Sequence, residues 1–294
     1  VDIAMSQTRS QHRPVEDIEL ALLLEAIYRK SHYDFRGYSQ ASLARRMEQA
    51  RQHFECESLS MLQHRLLHEP PIFRELLNFL TVQVSELFRD PEYYRSLREQ
   101  VIPHLKTYPS LKVWVAGCSE GEELYSLAIL FREEGLESRT IFYATDINPA
   151  ALRKAEAGIY SLDRLAQFTR NHRASGARTS LSDYYTAAYG AAAFDKSLRA
   201  QTVFSEHSLA ADEVFAEVHL VSCRNVLIYF DRQLQDRTIG LFDQSLVRGG
   251  FLGLGMQETL SFSAYNEHFD TFARDEKIYR KRLFASAAEG GRHG

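Results

Sequence analysis

The chain predicts a doubly wound, mostly parallel α/β sheet preceded by an all-helical region and interrupted by a small inserted β-subdomain. Three observations carry this. From Glu16 to about Thr107 the apolar residues recur at helical spacing, as in IELALLLEAIYRK and FRELLNFLTVQV, with no alternating strand pattern of comparable length. After Pro109, strand-like runs (LKVWVA, TIFYATD, AEVHLVSC, GFLGLG, KIYRKRLF) alternate with helical ones (EELYSLAILFREE, PAALRKAEAG, DRQLQDRTIGLFDQSLV), as in a parallel sheet covered by helices. Between Tyr160 and Val203 the alternation breaks into a polar stretch holding ASGART and the tyrosine-rich SDYYTAAYGAAAF, which reads as an insertion containing a hairpin. The expected organisation is a helical domain over 16–107 and an α/β domain over 108–286 with its insertion at about 161–203. The polar ends, residues 1–14 and roughly 286–294, are expected to be mobile and outside the fold.

With 294 residues the chain can bury a sizeable core. A formal charge of −4 and a pI near 6.3 argue against a general nucleic-acid binder. No apolar run approaches the ~18 residues of a membrane span, and VDIAMSQTRSQHRP lacks the apolar centre of a signal peptide, so a cytoplasmic protein without membrane insertion is expected. Cys56, Cys118 and Cys223 are far apart and form no CxxC pair, which supports reduced thiols rather than a disulfide framework or a zinc site.

The most informative stretch is VWVAGCSEGEELYS at 113–126. A strand opens into a turn at Gly117 and Gly121, and Glu122 and Glu123 lead into a helix. Glycines let the backbone bend and approach a ligand closely, and the helix N-terminus offers free N–H groups. Asp146, at the end of the next strand, would accept hydrogen bonds from two ribose hydroxyls, so an adenosine-containing cofactor is expected. GCSEG also fits the G-x-S-x-G nucleophile elbow, with Ser119 as nucleophile and His207 or His268 as base. That reading fares poorly: the elbow normally follows several strands, and the glutamates would crowd an oxyanion site. A nicotinamide site is disfavoured because the G-x-G-x-x-G spacing is missing. Acidic turn residues favour a cationic ligand, and S-adenosylmethionine carries a sulfonium and an ammonium and no phosphate.

Four blocks, TVQVSELFRDPEYY (81–94), VWVAGCSEGEELYSLA (113–128), ATDINPAALRKAEAGIY (144–160) and SCRNVLIYFD (222–231), together resemble the CheR-type chemotaxis receptor methyltransferases, which methylate glutamate side chains using S-adenosylmethionine. The resemblance covers about 16–284 and implies a Rossmann-like methyltransferase fold. It implies that Gln83, Ser85 and Arg89 reach the cofactor or substrate, with Arg89 and Tyr229 as catalytic donors. Gly117 would form the cofactor turn, Glu122 and Glu123 would hold the methionine ammonium or lie beside it, and Asp146 would bind the ribose. Ser208 and Leu209 would sit at the adenine end, and Arg224, Asn225 and Tyr229 would line the cavity near the methyl group. The chain departs from the family pattern at Gln83, Ser85, Leu87, Glu120, Ser208 and Met256.

Each residue has a plainer reading. Arg89 and Asp90 could form a surface ion pair, Asp146 could cap the helix that starts near Pro149, and Tyr229 could be a core aromatic. Methyl transfer to a carboxylate is an in-line displacement that needs neither metal nor general base, because glutamate is ionised at neutral pH. Arg45, Arg46 and Arg51 crowd one helical segment, with Arg36 upstream. A solvated basic face is the ordinary reading. The resemblance implies that this domain docks the cytoplasmic domain of a methyl-accepting chemoreceptor, whose glutamates positive charge would attract. The competing expectation is a noncatalytic scaffold of the same fold that binds cofactor without turnover.

Overall fold

The computed structural model describes residues 14–283; the ends expected to be mobile lie almost wholly outside the described residues. The chain divides into two compact units between Leu80 and Thr81.

The first unit is four helices, α1 (Val15–Ser31), α2 (Gln40–His53), α3 (Leu59–His68) and α4 (Pro70–Leu80). Its core is the apolar face of each: Leu20, Leu23 and Ile27, Leu43 and Met47, Leu62 and Leu66, Leu76 and Leu77. Acidic Glu16 and Asp17 in the first turn of α1 and basic Arg29 and Lys30 in its last complement the helix dipole. Lys30 donates to the carbonyls of Leu66 (2.5 Å) and Leu67 (2.8 Å), satisfying acceptors that the end of α3 leaves open.

The second unit begins earlier than the texture change near 107 that marked the expected boundary. The intervening segment is helical in part, but Leu87, Phe88, Tyr93, Tyr94, Leu97, Val101 and Ile102 are buried in the α/β core. Helical periodicity identifies a buried face without saying which core receives it. TVQV, expected to extend the preceding helix, is not helical. Tertiary bonds claim it instead: Thr81 Oγ1 accepts from Asn148 Nδ2 (3.0 Å) and Gln83 Oε1 from Ser119 Oγ (2.5 Å). Helix α5 (Pro91–Ser96) runs through a π-helical turn at Leu97–Val101 into α6 (Ile102–Leu105). Pro103 has no N–H for the ladder, and the widened turn accommodates it.

There follow β1 (Leu111–Ala116), α7 (Glu122–Glu133), β2 (Thr140–Asp146), α8 (Pro149–Ala157), β3 (Ile159–Ser161), α9 (Leu165–Ala174), β4 (Tyr185–Ala188), β5 (Ala191–Phe194), β6 (Thr202–Glu206), β7 (Val218–Cys223), α10 (Arg232–Ser245), β8 (Leu246–Leu254), β9 (Phe269–Ala273) and β10 (Ile278–Lys281). Seven strands form one sheet in the order β6-β2-β1-β7-β8-β10-β9. The first five are parallel, and β10 pairs antiparallel with β8 and β9. Strand β1 is buried on both faces through Val113, Trp114 and Val115, which is why it reads as a continuous apolar run. The insertion is a separate sheet of order β3-β5-β4, and it contains the helix α9 that its polar texture did not announce. Strand β6, placed partly inside the insertion by the sequence reading, belongs to the main sheet. Cys56, Cys118 and Cys223 are buried free thiols. Among the described residues no helix is long and apolar enough to cross a membrane.

Candidate active site

Chain order runs from β1 outward to β2 and β6 on one side and to β7 and β8 on the other, so the direction of winding reverses between β1 and β7. Loops at the carboxyl ends of strands open apart at such a point and leave a crevice. The expected cofactor residues of the α/β unit fall on these ends: Gly117 after β1, Asp146 at the end of β2, Ser208 and Leu209 after β6, and Arg224 and Asn225 after β7.

The turn after β1 is held tightly. Gly117, Ser119 and Gly121 all have positive φ (71°, 52° and 99°). A Cβ at Gly117 would lie 2.6 Å from Val226 Cγ2, so only glycine lets the loops after β1 and β7 touch. Asp146 accepts the Ser119 N–H (2.9 Å) on one oxygen and the Asn148 N–H (2.8 Å) on the other, and burial raises its pKa. The cap of α8 is Asn148, whose Oδ1 accepts from Ala150 N–H (2.9 Å), so Asp146 shapes the turn and leaves capping to its neighbour. Glu120, the extra charge in the turn, is neutralised by Lys154 Nζ at 2.6 Å. Ser119 bonds Gln83, whereas His207 bonds the Glu213 carbonyl and His268 bonds Asp243, so neither histidine serves Ser119 as a base.

The two glutamates that open α7 differ. Glu122 is buried and pairs with Arg164 Nη1 (2.9 Å), which reaches in from the insertion and also bonds the Ser85 carbonyl. Sequence reasoning missed Arg164, because nothing in the polar insertion marks it. Glu123 faces Arg224 at 3.7 Å, and its Oε1 is buried without a hydrogen-bond partner. Burial raises the pKa of both carboxyls.

Arg224 is the centre of the β7 side. Its side chain is 1% exposed; it bonds Asp90 (2.7 Å) and the Arg89 carbonyl (3.0 Å) and lies over the Tyr93 ring at 4.2 Å. The expectation that its side chain lines a cavity is therefore corrected: the guanidinium is turned inward and locks the 89–94 segment to β7. Because Arg224 takes Asp90, the Arg89–Asp90 surface pair of the plainer reading does not form, and among the described residues Arg89 enters no ion pair. Arg89 is half-buried, and its positive charge works against the rise that burial gives the pKa of Glu123. Asn225 (φ 61°) and Tyr229 follow on the same loop, both half-buried, so Tyr229 is not a core aromatic.

Residues 83–278 match the family described as CheR methyltransferase, SAM binding domain, and residues 18–81 match its all-alpha domain. This chain belongs to the CheR methyltransferase family. It is 54% identical over 265 residues to a Pseudomonas putida protein named "Putative methyltransferase Cher3", covering 90% of this chain and 97% of that one. It is 33% identical over 188 residues to a chemotaxis protein methyltransferase of Listeria monocytogenes, covering 63% of this chain and 69% of the relative. A Vibrio cholerae chemotaxis protein methyltransferase 2 is 29% identical over 215 residues, 70% and 72% of the two chains.

As a CheR methyltransferase the chain uses S-adenosylmethionine, and its residues fit that group. Glu123 Oε1 and Ser208 Oγ are buried polar atoms without partners, one acidic and one neutral, and Gly117 keeps the turn clear of a side chain. The docking residues fare differently. Arg46 is 6% exposed and spends its guanidinium on Ser42 and the Leu80 carbonyl. Arg51 pairs with Glu48 (2.7 Å) and bonds the Cys56 carbonyl (2.7 Å), and Arg36 pairs with Asp34 and Glu25. Only Arg45 of the expected trio is exposed, so the three do not form a basic docking face.

Proposed function

We propose that this chain transfers the methyl group of S-adenosylmethionine to glutamate side chains on the cytoplasmic domain of a chemoreceptor. The observation that carries the reading is the state of Arg89. A half-buried guanidinium beside the Glu123–Arg224 pair, with no carboxylate of its own among the described residues, is a cation available to an anionic acceptor. Relatives named chemotaxis protein methyltransferases support the receptor as the source of that acceptor.

The bound cofactor supplies a methyl carbon made electrophilic by its sulfonium. The chain's part is placement. Glu123 Oε1 would take the ammonium, Asp146 would accept from the ribose with lone pairs not used by the turn, and Ser208 Oγ would meet the adenine end. Arg89 and Tyr229 orient the substrate carboxylate so that oxygen, carbon and sulfur stand in line, and exclusion of water from the carboxylate completes the task. Transfer of labelled methyl groups to base-labile esters on a panel of receptor cytoplasmic fragments tests the proposal. Transfer to a fragment whose glutamates are intact, lost when they are changed to alanine, is the expected result. Tight binding of S-adenosylhomocysteine with no transfer to any fragment would leave the scaffold reading in its place.

A further inference from the structure

The loop after β7, which carries Asn225 and Tyr229, has no regular secondary structure until a short 3-10 turn at Leu227–Tyr229. Four of its backbone N–H groups nevertheless have one destination. Glu258, in the turn that follows β8, is 4% exposed and accepts from four consecutive amides: Asn225 (3.0 Å), Val226 (2.9 Å), Leu227 (2.7 Å) and Ile228 (3.3 Å). A fifth bond, from the Gly255 N–H (2.5 Å), folds the turn of Glu258 itself. Consecutive amides converging on one point make an anion nest, and here the chain fills the nest with its own carboxylate.

We propose that Glu258 is a positioning residue: through this nest it sets the shape of the loop that presents Asn225 and Tyr229 to the reacting groups. Two features show that the fit is close. A Cβ at Gly255 would lie 2.7 Å from the Asn225 nitrogen and 2.8 Å from Glu258 Oε2, so glycine is needed for the approach. Asn225 sits at positive φ (61°), a left-handed conformation that asparagine tolerates better than most residues and that turns successive N–H groups towards one point. The same loop presses Val226 against Gly117, so its position is also felt by the cofactor turn. Glu258 touches neither substrate nor cofactor in this scheme. Burial raises its pKa while the backbone amides favour the ionised form.

The methyl-transfer arm of the test rests on the proposed function; the other arms do not. In the full chain, Glu258→Gln keeps the side chain's length but sets an NH2 group against amide donors. Amide hydrogen exchange at residues 225–228 should rise by about tenfold or more while β1 and β7 keep wild-type protection, and S-adenosylhomocysteine affinity should fall. Single-turnover transfer at saturating cofactor and receptor fragment should drop about 10- to 100-fold. Gly255→Ala, which disturbs the same contact from the other side, should change the same four amides and the same rate, and it serves if Glu258→Gln does not fold. Wild-type exchange and rate in a folded Glu258→Gln protein would overturn the proposal. So would exchange that rises evenly across the sheet with a rate loss recovered on cooling, since that is the pattern of stability alone. If wild-type protein methylates no receptor fragment, the proposed function fails, and exchange at 225–228 together with S-adenosylhomocysteine binding still decides the role of Glu258.

Discussion

Arg45 and Arg46 are neighbours in sequence and opposites in environment, because successive helical residues are turned by about 100° and only one of the two can face solvent. A cluster of arginines is visible in the sequence; which of them the fold consumes is not, since the Leu80 carbonyl that Arg46 serves is far away along the chain. Arg46→Ala should lower stability by about 1.5–3 kcal/mol, the worth of hydrogen bonds to a charged group, while Arg45→Ala should change it by less than about 0.5 kcal/mol. Urea titrations of the two variants check this, and equal midpoints would return Arg46 to the surface. Arg89 is the converse case, a residue whose chain neighbour suggests a pair that Arg224 prevents. Arg89→Lys keeps the charge but loses the planar fork, so turnover should fall far more than the melting temperature, and Arg89→Ala should fall further. A folded Arg89→Ala protein with most of its single-turnover rate would remove Arg89 from the chemistry.

Elements were legible in proportion to how local their causes are. Strands β1, β2, β7 and β8 are buried between layers and read as apolar runs, and α7, α8 and α10 carry strong amphipathic or capping signals. Strand β6 is at the sheet edge with Val203 48% exposed, so burial never wrote a pattern into it. The hairpin inside the insertion was legible because its turn is short and contains glycine. Its two turn residues, Tyr189 and Gly190, both have positive φ (51° and 78°), the geometry of a type I′ turn. Tyrosine is a poor choice there, and its side chain is fully exposed, so packing does not explain it. Tyr189→Asn should therefore stabilise the protein by up to about 1 kcal/mol, since asparagine tolerates the left-handed region better. Thermal melts read the gain; a loss of stability would mean that the Tyr189 ring makes contacts that compensate the backbone strain.

At the scale of the whole molecule, the carboxyl ends of the sheet collect three buried carboxyls, Glu122, Asp146 and Glu258, and the half-buried Glu123, and desolvation raises the pKa values of all four. The glutamates of the turn were legible as a site because a short motif holds them, and Asp146 because it ends the next strand; Glu258 and Arg164 were not, because their partners lie on loops distant in sequence. A carboxyl whose folded pKa is raised contributes stability below its unfolded pKa and loses that contribution as pH rises through the folded value. The site thus weakens the fold at neutral pH, where its charges await a cation. Glu123 is the clearest case: burial and the charge of Glu258 raise its pKa, Arg224 and Arg89 oppose them, and Oε1 has no partner. Glu123→Gln should therefore melt at a higher temperature than wild type at pH 7, with the difference shrinking as pH falls towards the ordinary carboxylate range, where wild-type Glu123 is protonated in both states. Glu133, held low at about 2 by His172, Thr179 and Arg98, has the opposite sign but is common to both proteins and cancels. The same substitution should weaken S-adenosylmethionine and S-adenosylhomocysteine alike, because both present the ammonium that Glu123 would hold. Melts from pH 4 to 8 with paired calorimetric titrations measure both effects. A variant less stable than wild type at pH 7, or one that binds both ligands normally, would show that Arg224 already satisfies Glu123 and that the ammonium is held elsewhere.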